Sequence, residues 1–482
     1  MKCPIIKKCG GCFYPQDQYQ EELKEKTLSI EKEIKKTKLK IDVKPTVASP
    51  LENGYRNKAI VAFNQKYEYG LYEEHSQDII PYKHCLLHED IMDEILQYIQ
   101  CYLRKYRVSI YDRKRHKGLL RHVLIRRGVK TNQTMVVLVC NENMWRGSKQ
   151  FCSQLVKRFP SVKTIVLNVN TRKTPIVLGN EDKVLYGKGF IVDELCGLKF
   201  KISPQSFYQI NHDQCVNLYT KALSLLNIKG NETAIDAYCG IGTIGMILSQ
   251  KVKQVIGVES NKDAIKDAKN NARMNQLSNI QFVCDDATEF MKKLAKEKHK
   301  VDVVIMDPPR SGSTKQFMDS VKILNPKQVV YISCDPTTQI RDIQYFKKIG
   351  YHTHTMYLYD MFPHTRHVES IVLLSHKSPD SHIDVKVEFG EGEEKVPLDK
   401  IAERAKQYQP APRVTYKMIQ EYIEEKYGFK VHTAYIAEVK RNLGLPMYDA
   451  PNMEEELKQL RRHPTAEKVE AIKDALKHFG VI

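Results

Sequence analysis

The rhythm of apolar and polar positions changes twice along the chain. Residues 21–38 (EELKEKTLSIEKEIKKTK) read as a charged helical stretch behind an N-terminal cluster of cysteines. From about 41 to 200, short alternating runs such as KAIVAFNQ, TMVVLVCN and TIVLNVN are separated by turn residues, which predicts a β-rich, antiparallel region. From about 201, strand-like runs alternate with helical ones: TAIDAY then TIGMILSQ, VIGVE then KDAIKDAKNNARM, followed by QFVCDD, VDVVIMD and QVVYISC. That alternation predicts an α/β fold, a mostly parallel, doubly wound sheet. After His376 a polar segment containing GEGEE breaks the pattern. Two amphipathic stretches flanking YGFKVH (residues 415–445) then predict a helical tail, either a helix-turn-helix-like unit or a plain extension. Four segments are expected: 1–40 with the region of Cys85, 41–200, 201–376 and 377–482.

Composition narrows the class. The 482 residues are 42% hydrophobic and 28% charged, as in a globular protein of several domains. No run of about 18 apolar residues predicts a membrane-spanning helix. The opening MKCPIIKKCGGC is too poor in apolar residues for a signal peptide, so a cytoplasmic address is expected. In that compartment the 12 cysteines are expected as metal ligands, catalytic thiols or core residues rather than disulfides. A net charge of +18 favours a polyanionic partner. A solvated basic surface would give the same total. The concentration of Arg113, Lys114, Arg115, Lys117, Arg121, Arg126, Arg127 and Lys130 within residues 111–130 favours nucleic acid. Tyr55, Arg56 and Lys58 in GYRNKA are further candidates for gripping RNA, or ordinary strand residues.

The stretch AIDAYCGIGTIG holds Gly240, Gly242 and Gly245 between a predicted strand and helix. Glycines there let the backbone turn tightly and approach a nucleotide, and Glu259 at the next strand end can bind a ribose hydroxyl. This alone fits a dinucleotide or S-adenosylmethionine. Asp286, after the third strand, suits an adenine amine, and MDPPRSG ends the fourth strand with Asp307 and two prolines. A dehydrogenase has no use for that rigid loop, whereas a methyltransferase sets one beside donor and acceptor. Asp236 is expected to support the glycine turn. Enzymes that methylate amino groups resemble Asp/Asn-Pro-Pro followed by an aromatic residue; Arg310 stands there instead.

A carbon acceptor is the alternative. A ring carbon of uracil is not nucleophilic, but a thiolate adding to carbon 6 makes carbon 5 able to accept a methyl group. A base must then remove the carbon 5 proton before the thiol leaves. In VVYISCDPTTQ, Cys334 follows a predicted buried strand and precedes Pro336; in DMFPHTRHVESIVLL, Glu369 enters another strand. This chemistry requires one cysteine and one general base near the same strand ends, where these two residues stand.

Taken in order, SFYQIN, DAYCGIGTIG, MDPPRSG, YISCDP and MFPHTRHVE resemble the RNA 5-methyluridine methyltransferases. The resemblance covers most of residues 1–375. It implies a class I S-adenosylmethionine methyltransferase with a Rossmann-like sheet, Cys334 as nucleophile and Glu369 as base. Gln209, Tyr238, Gly240, Gly242, Glu259 and Asp307 are implied cofactor contacts, with Asp286 a softer match. His364 and His367 are expected in packing or RNA contact rather than a proton relay. Cys3, Cys9 and Cys12, spaced C-x5-C-x2-C, together with Cys85, could hold zinc or a 4Fe–4S cluster. The spacing does not match the radical enzymes' C-x3-C-x2-C. It resembles the ribosomal-RNA branch of the family, which implies a 4Fe–4S cluster in a structural role and 23S rRNA as partner. tRNA is the alternative, and a monomer is expected. Many members of that branch carry a small β-barrel before the cysteines; this sequence opens at the cysteines, so the barrel is expected to be lacking. The remaining cysteines (Cys101, Cys140, Cys152, Cys196, Cys215, Cys239 and Cys284) are expected in or near the core. An oxidoreductase on the same glycine loop, or a catalytically silent RNA-binding protein, would have no need of Cys334 and Glu369.

Overall fold

The computed structural model describes residues 3–6, 8–15, 17–73, 76, 78–376, 415–443 and 463–479. Two compact units are present, Met1–Ile383 and Asp384–Ile482. The first opens with α1 (Tyr19–Lys35) and β1 (Asp42–Val43). Next come β2 (Lys58–Phe63), β3 (Tyr69–Tyr72), β4 (Ile79–Pro81), α2 (Asp90–Lys105), β5 (Leu120–Arg127) and β6 (Thr134–Cys140). This region closes with α3 (Ser148–Arg158), β7 (Val162–Val169), β8 (Glu181–Gly187) and a hairpin of β9 (Ile191–Leu195) and β10 (Leu198–Ile202). Then α4 (His212–Ser224), β11 (Thr233–Ala237), α5 (Thr243–Ser249), β12 (Gln254–Glu259), α6 (Lys262–Met274) and β13 (Ile280–Cys284) follow. The unit finishes with α7 (Ala287–Lys296), β14 (Val303–Met306), α8 (Lys315–Leu324), β15 (Gln328–Ser333), α9 (Pro336–Lys348), β16 (Thr355–Tyr359) and β17 (Glu369–Ser375).

An eight-stranded sheet in the order β1-β16-β17-β15-β14-β11-β12-β13 forms the α/β part. Strands β11 to β15 pair in parallel, and β17 lies antiparallel between β15 and β16. The apolar runs that form these strands are buried on both faces. Val303 and Ile305 enter one core cluster while Val304 and Met306 enter the other, as the two-residue period of a strand requires. The N-terminal segment belongs to this layer too, because β1 pairs in parallel with β16 at the sheet edge and α1 packs on α9.

A seven-stranded sheet, β4-β3-β2-β5-β6-β7-β8, occupies the β-rich region. It is mixed rather than wholly antiparallel: β6 and β7 run parallel because α3 carries the chain back between them. One face, with Leu124, Val137 and Val166, shares a core with the α/β sheet. The other, with Val123, Val136 and Leu138, packs with residues of α2 and α3.

In the second unit, α10 (Tyr416–Tyr427), α11 (Thr433–Asn442) and α12 (Ala466–His478) enclose a core of Ile419, Ile423, Ile436, Val439, Ile472 and Leu476. Thr415 caps the first of these helices and Gly428, at φ +74°, ends it in the left-handed conformation. The GEGEE segment lies outside the described residues. No helix among the described residues is long and apolar enough to cross a membrane.

Candidate active site

Strand β15 ends in a small turn. The Ser333 hydroxyl donates to the Asp335 carbonyl (3.0 Å) and accepts from the Asp335 N–H (3.1 Å). Asp335 in turn caps α9, accepting from the N–H groups of Thr337 (3.0 Å) and Thr338 (3.2 Å). Pro336 occupies the first helical position, where a missing N–H costs nothing. Cys334 therefore sits, half-buried, between a strand end and a helix cap. The antiparallel register pairs Ser333 with Ser370, so one further step in each strand sets Cys334 beside Glu369. Side chains opposite one another in such a pair share a face.

The electrostatics of the pair follow from this neighbourhood. Burial pushes the Cys334 thiol up to about 11, with Glu369 and Asp307 adding to the rise and Arg310 opposing it. Glu369 is 3% exposed. Burial, reinforced by Asp307 and opposed by Arg310, raises its carboxyl to about 8. Burial lifts Asp307 to about 7. A thiol, a carboxyl basic enough to take a proton near neutrality and a guanidinium thus meet at the carboxyl ends of β14, β15 and the start of β17. The thiol and the guanidinium open on a cleft of about 300 Å³ whose lining includes Ser29, Ile30 and Glu33 of α1 with Arg310, Cys334 and His367, while Glu369 lies buried behind it.

The glycine loop lies at the end of β11. Tyr238 (φ +66°), Gly240 (+54°) and Gly242 (+84°) take left-handed backbone angles. A Cβ on Gly242 would stand 2.6 Å from the Met246 methyl and 2.8 Å from Phe282, whereas one on Gly240 would meet only open space. The loop thus keeps bare backbone on its outer side, as close approach of a nucleoside requires. Glu259 accepts from the N–H groups of Gly240 (3.2 Å) and Asn261 (2.8 Å), fastening its carboxylate to the loop. Beneath, Asp236 accepts from the Gly245 N–H at 2.8 Å. Tyr238 packs its ring on Phe317, and its hydroxyl lies 3.4 Å from the Ser313 hydroxyl. Gln209 is buried, its carbonyl accepting from the Asn57 side chain at 2.9 Å. Asp286 is exposed and spends one oxygen capping α7.

Cys3, Cys9, Cys12 and Cys85 line one cavity with Leu71, Tyr82 and Leu87. Burial and the neighbouring thiols raise Cys12 to about 12, and burial raises Cys9. Burial also raises Cys85, but His88, the Leu87 backbone and Arg56 together outweigh it and leave the thiol below its usual value. Asp93 holds that histidine at 2.8 Å. Four thiols on one cavity, three of them from one segment, are residue types that could serve a soft cation or cluster. Among the described residues, no three His, Cys, Asp or Glu side chains stand close enough to hold a single metal ion.

A family profile described as tRNA (uracil-5-)-methyltransferase matches residues 18–377. The chain belongs to that family. An uncharacterized RNA methyltransferase of Clostridium tetani is 38% identical over 379 residues, covering 78% of this chain and 82% of that protein. One from Caldanaerobacter subterraneus is 37% identical over 377 residues, covering 77% and 83% respectively. A solved structure of the Pyrococcus abyssi tRNA (uracil-54, C5)-methyltransferase in complex with S-adenosyl-L-homocysteine is similar at 27% identity. Its TM-score is 0.63, over 74% of this chain and 83% of that one. The protein is accordingly an S-adenosylmethionine-dependent RNA methyltransferase of the uracil-5 type.

Several expectations are revised by the geometry. Of the basic stretch, Arg121 and Arg126 are buried, donating to the carbonyls of Asn170 (2.6 Å) and Ser206 (2.7 Å), and Arg127 pairs with Glu89 at 2.9 Å. Only Arg113, Lys114, Arg115, Lys117 and Lys130 stay exposed. Tyr55 is buried and donates to the Pro363 carbonyl at 3.0 Å, so it is no stacking platform. Cys101 and Cys284 are exposed rather than in the core. His364 is sealed inside, whereas His367 reaches the cleft within 3.5 Å of Arg310. Two contributors escape the sequence: Arg310, read there only as the absence of an aromatic residue, and the cleft wall of α1. A charged helix carries no local sign of a catalytic neighbour.

Proposed function

We propose that the enzyme methylates carbon 5 of a specific uridine with Cys334 as nucleophile and Glu369 as base. The observation that carries this is the register setting the two side by side at adjoining strand ends. The Cys334 thiolate adds to carbon 6 of uracil, which makes carbon 5 nucleophilic. The bound donor supplies an electrophilic methyl group to that carbon. Glu369 then takes the carbon 5 proton, the double bond re-forms and Cys334 leaves as thiolate. Asp307, Tyr238, Glu259 and the Gly240–Gly242 loop are the donor's contacts, with Gln209 and Asp286 at its margins. The uridine must leave its stack to bring its ring face to the thiol.

The favoured target is 23S rRNA, on the resemblance of the cysteine spacing to that branch. A tRNA target is the second reading, favoured by the activity of the Pyrococcus abyssi neighbour. A 4Fe–4S cluster on Cys3, Cys9, Cys12 and Cys85 fits better than zinc. Their spacing resembles that of the ribosomal-RNA branch, and such a cluster takes one thiolate per iron. Its place is structural, because methyl transfer exchanges no electrons.

Mass mapping of 5-methyluridine in ribosomal and transfer RNA from a deletion strain identifies the target. Glu369→Gln is expected to methylate the base yet remain attached to it, leaving an RNA–protein adduct that survives denaturation. An active, adduct-free Glu369→Gln enzyme would remove Glu369 from the mechanism.

A further inference from the structure

Glu369 ends a hairpin loop that the N-terminal helix α1, more than 300 residues earlier in the chain, holds in place. Tyr359 of β16 pairs with Glu369 of β17, so residues 360–368 form the connecting loop, with Asp360 and Glu369 at its mouth. Lys26 of α1 donates to Asp360 at 2.7 Å and to Glu22, one turn earlier, at 2.6 Å. Glu22 accepts the backbone N–H of His364 at 2.8 Å, and its other oxygen lies 3.6 Å from the His364 ring. All four side chains are at most 1% exposed. The His364 carbonyl accepts from Phe13 (2.6 Å) and Tyr14 (3.1 Å), directly after Cys12. Tyr55 binds Pro363 of the same loop.

Stability alone does not explain this arrangement. Buried ions are costly even when paired, and Glu22, Asp360 and His364 each keep buried polar atoms without a hydrogen-bond partner. His364 also holds φ at +67°, which a non-glycine residue adopts only under constraint. Such costs gather where a site must be held in one geometry. The same helix continues to Ile30 and Glu33 in the wall of the cleft, two turns beyond Lys26 at most.

We propose that the Glu22–Lys26–Asp360–His364 cluster positions the base Glu369, so that α1 and the cysteine-bearing segment act in the proton-abstraction step without touching the reacting atoms. This rests on the uracil-5 mechanism above. It predicts a defect confined to the step after methyl transfer.

RNA carrying 5-fluorouridine at the target separates the steps. Cys334 adds to carbon 6 and carbon 5 is methylated, but no proton is there to remove, so the carbon–sulfur bond persists without any need for Glu369. The test compares wild type with Lys26→Met and with Glu22→Gln/Lys26→Met/Asp360→Asn, which leaves no carboxylate of the cluster buried without its cation. Turnover of uridine RNA is expected to fall about tenfold or more, while adduct formation on 5-fluorouridine RNA stays within about twofold. Adduct with ordinary RNA is expected to accumulate. Rates that fall together would reduce the cluster to a folding element, and unchanged rates would remove it from catalysis; both overturn the proposal. Failure of wild type itself to form the fluorinated adduct would overturn the uracil-5 mechanism and this proposal with it.

Discussion

Arg310 shares the wall of one cleft with Cys334, and its positive charge acts on that thiol and on the carboxyl of Glu369 alike. It opposes the upward shift of the thiol that burial, Glu369 and Asp307 impose. Arg310→Met is therefore expected to slow alkylation of Cys334 by iodoacetamide about tenfold near neutral pH, read by peptide mass spectrometry. Arg310→Lys should recover part of the rate, since a point charge lacks the planar fork. Equal alkylation in all three proteins would leave the thiol without its cation.

Cys334→Ala removes the proposed nucleophile and nothing from the glycine loop. S-adenosylmethionine binding, measured by calorimetry, is expected to stay within about twofold while methyl transfer disappears. Loss of both would make the cysteine a structural element of the turn.

The proposed base sets a pH dependence. Glu369, raised to about 8, must be ionised to remove a proton. Release of the methylated RNA in single turnovers should accelerate as pH rises from 6 to about 8 and level off above it. Glu369→Gln should show no such rise. A flat wild-type profile would mean that proton abstraction does not limit release.

Asp236 makes a separate, stability-linked case. Burial raises its carboxyl to about 7 although Gly245 opposes the rise. A carboxyl whose folded pKa exceeds its unfolded value of about 4 stabilises most below pH 4 and loses that contribution as pH climbs through 7. Asp236→Asn keeps an acceptor for Gly245 and does not titrate. Its melting temperature should equal or fall below wild type at pH 5 and exceed it at pH 8. The same ordering at both values would contradict the shift.

Basic and acidic residues nearly cancel in Asp384–Ile482, so the excess of +18 resides in the first unit. Removing residues 378–482 is expected to leave both RNA affinity and its salt dependence unchanged. A shallower salt slope on truncation would give the tail a direct hold on phosphate.

Legibility in the sequence followed the range of the forces involved. The strand that delivers Cys334 and the one that begins at Glu369 are continuous apolar runs, visible locally, and their ordered motifs bring the site together. The parallel pairing of β6 and β7 was not legible, because β6 is buried on both faces and shows no alternation. Arg121 and Arg126 looked like surface cations, yet backbone carbonyls 49 and 80 residues later take them into the interior. Glu22 and Lys26 lie one turn apart in a stretch legible only as a charged helix; Asp360 and His364 turn them inward.

The bond between Lys26 and Asp360 spans 334 positions, and β1 closes the sheet edge on a strand almost as distant. During synthesis at about 5–20 residues per second, the first helix leaves the ribosome roughly 20–70 s before its counter-ion exists. Until then its ammonium and carboxylate stay in water, and the helix has no surface to dock on. The catalytic half therefore cannot mature ahead of the chain's beginning, nor the beginning ahead of it. A nascent fragment ending before Asp360 is a protein with its first segment still waiting.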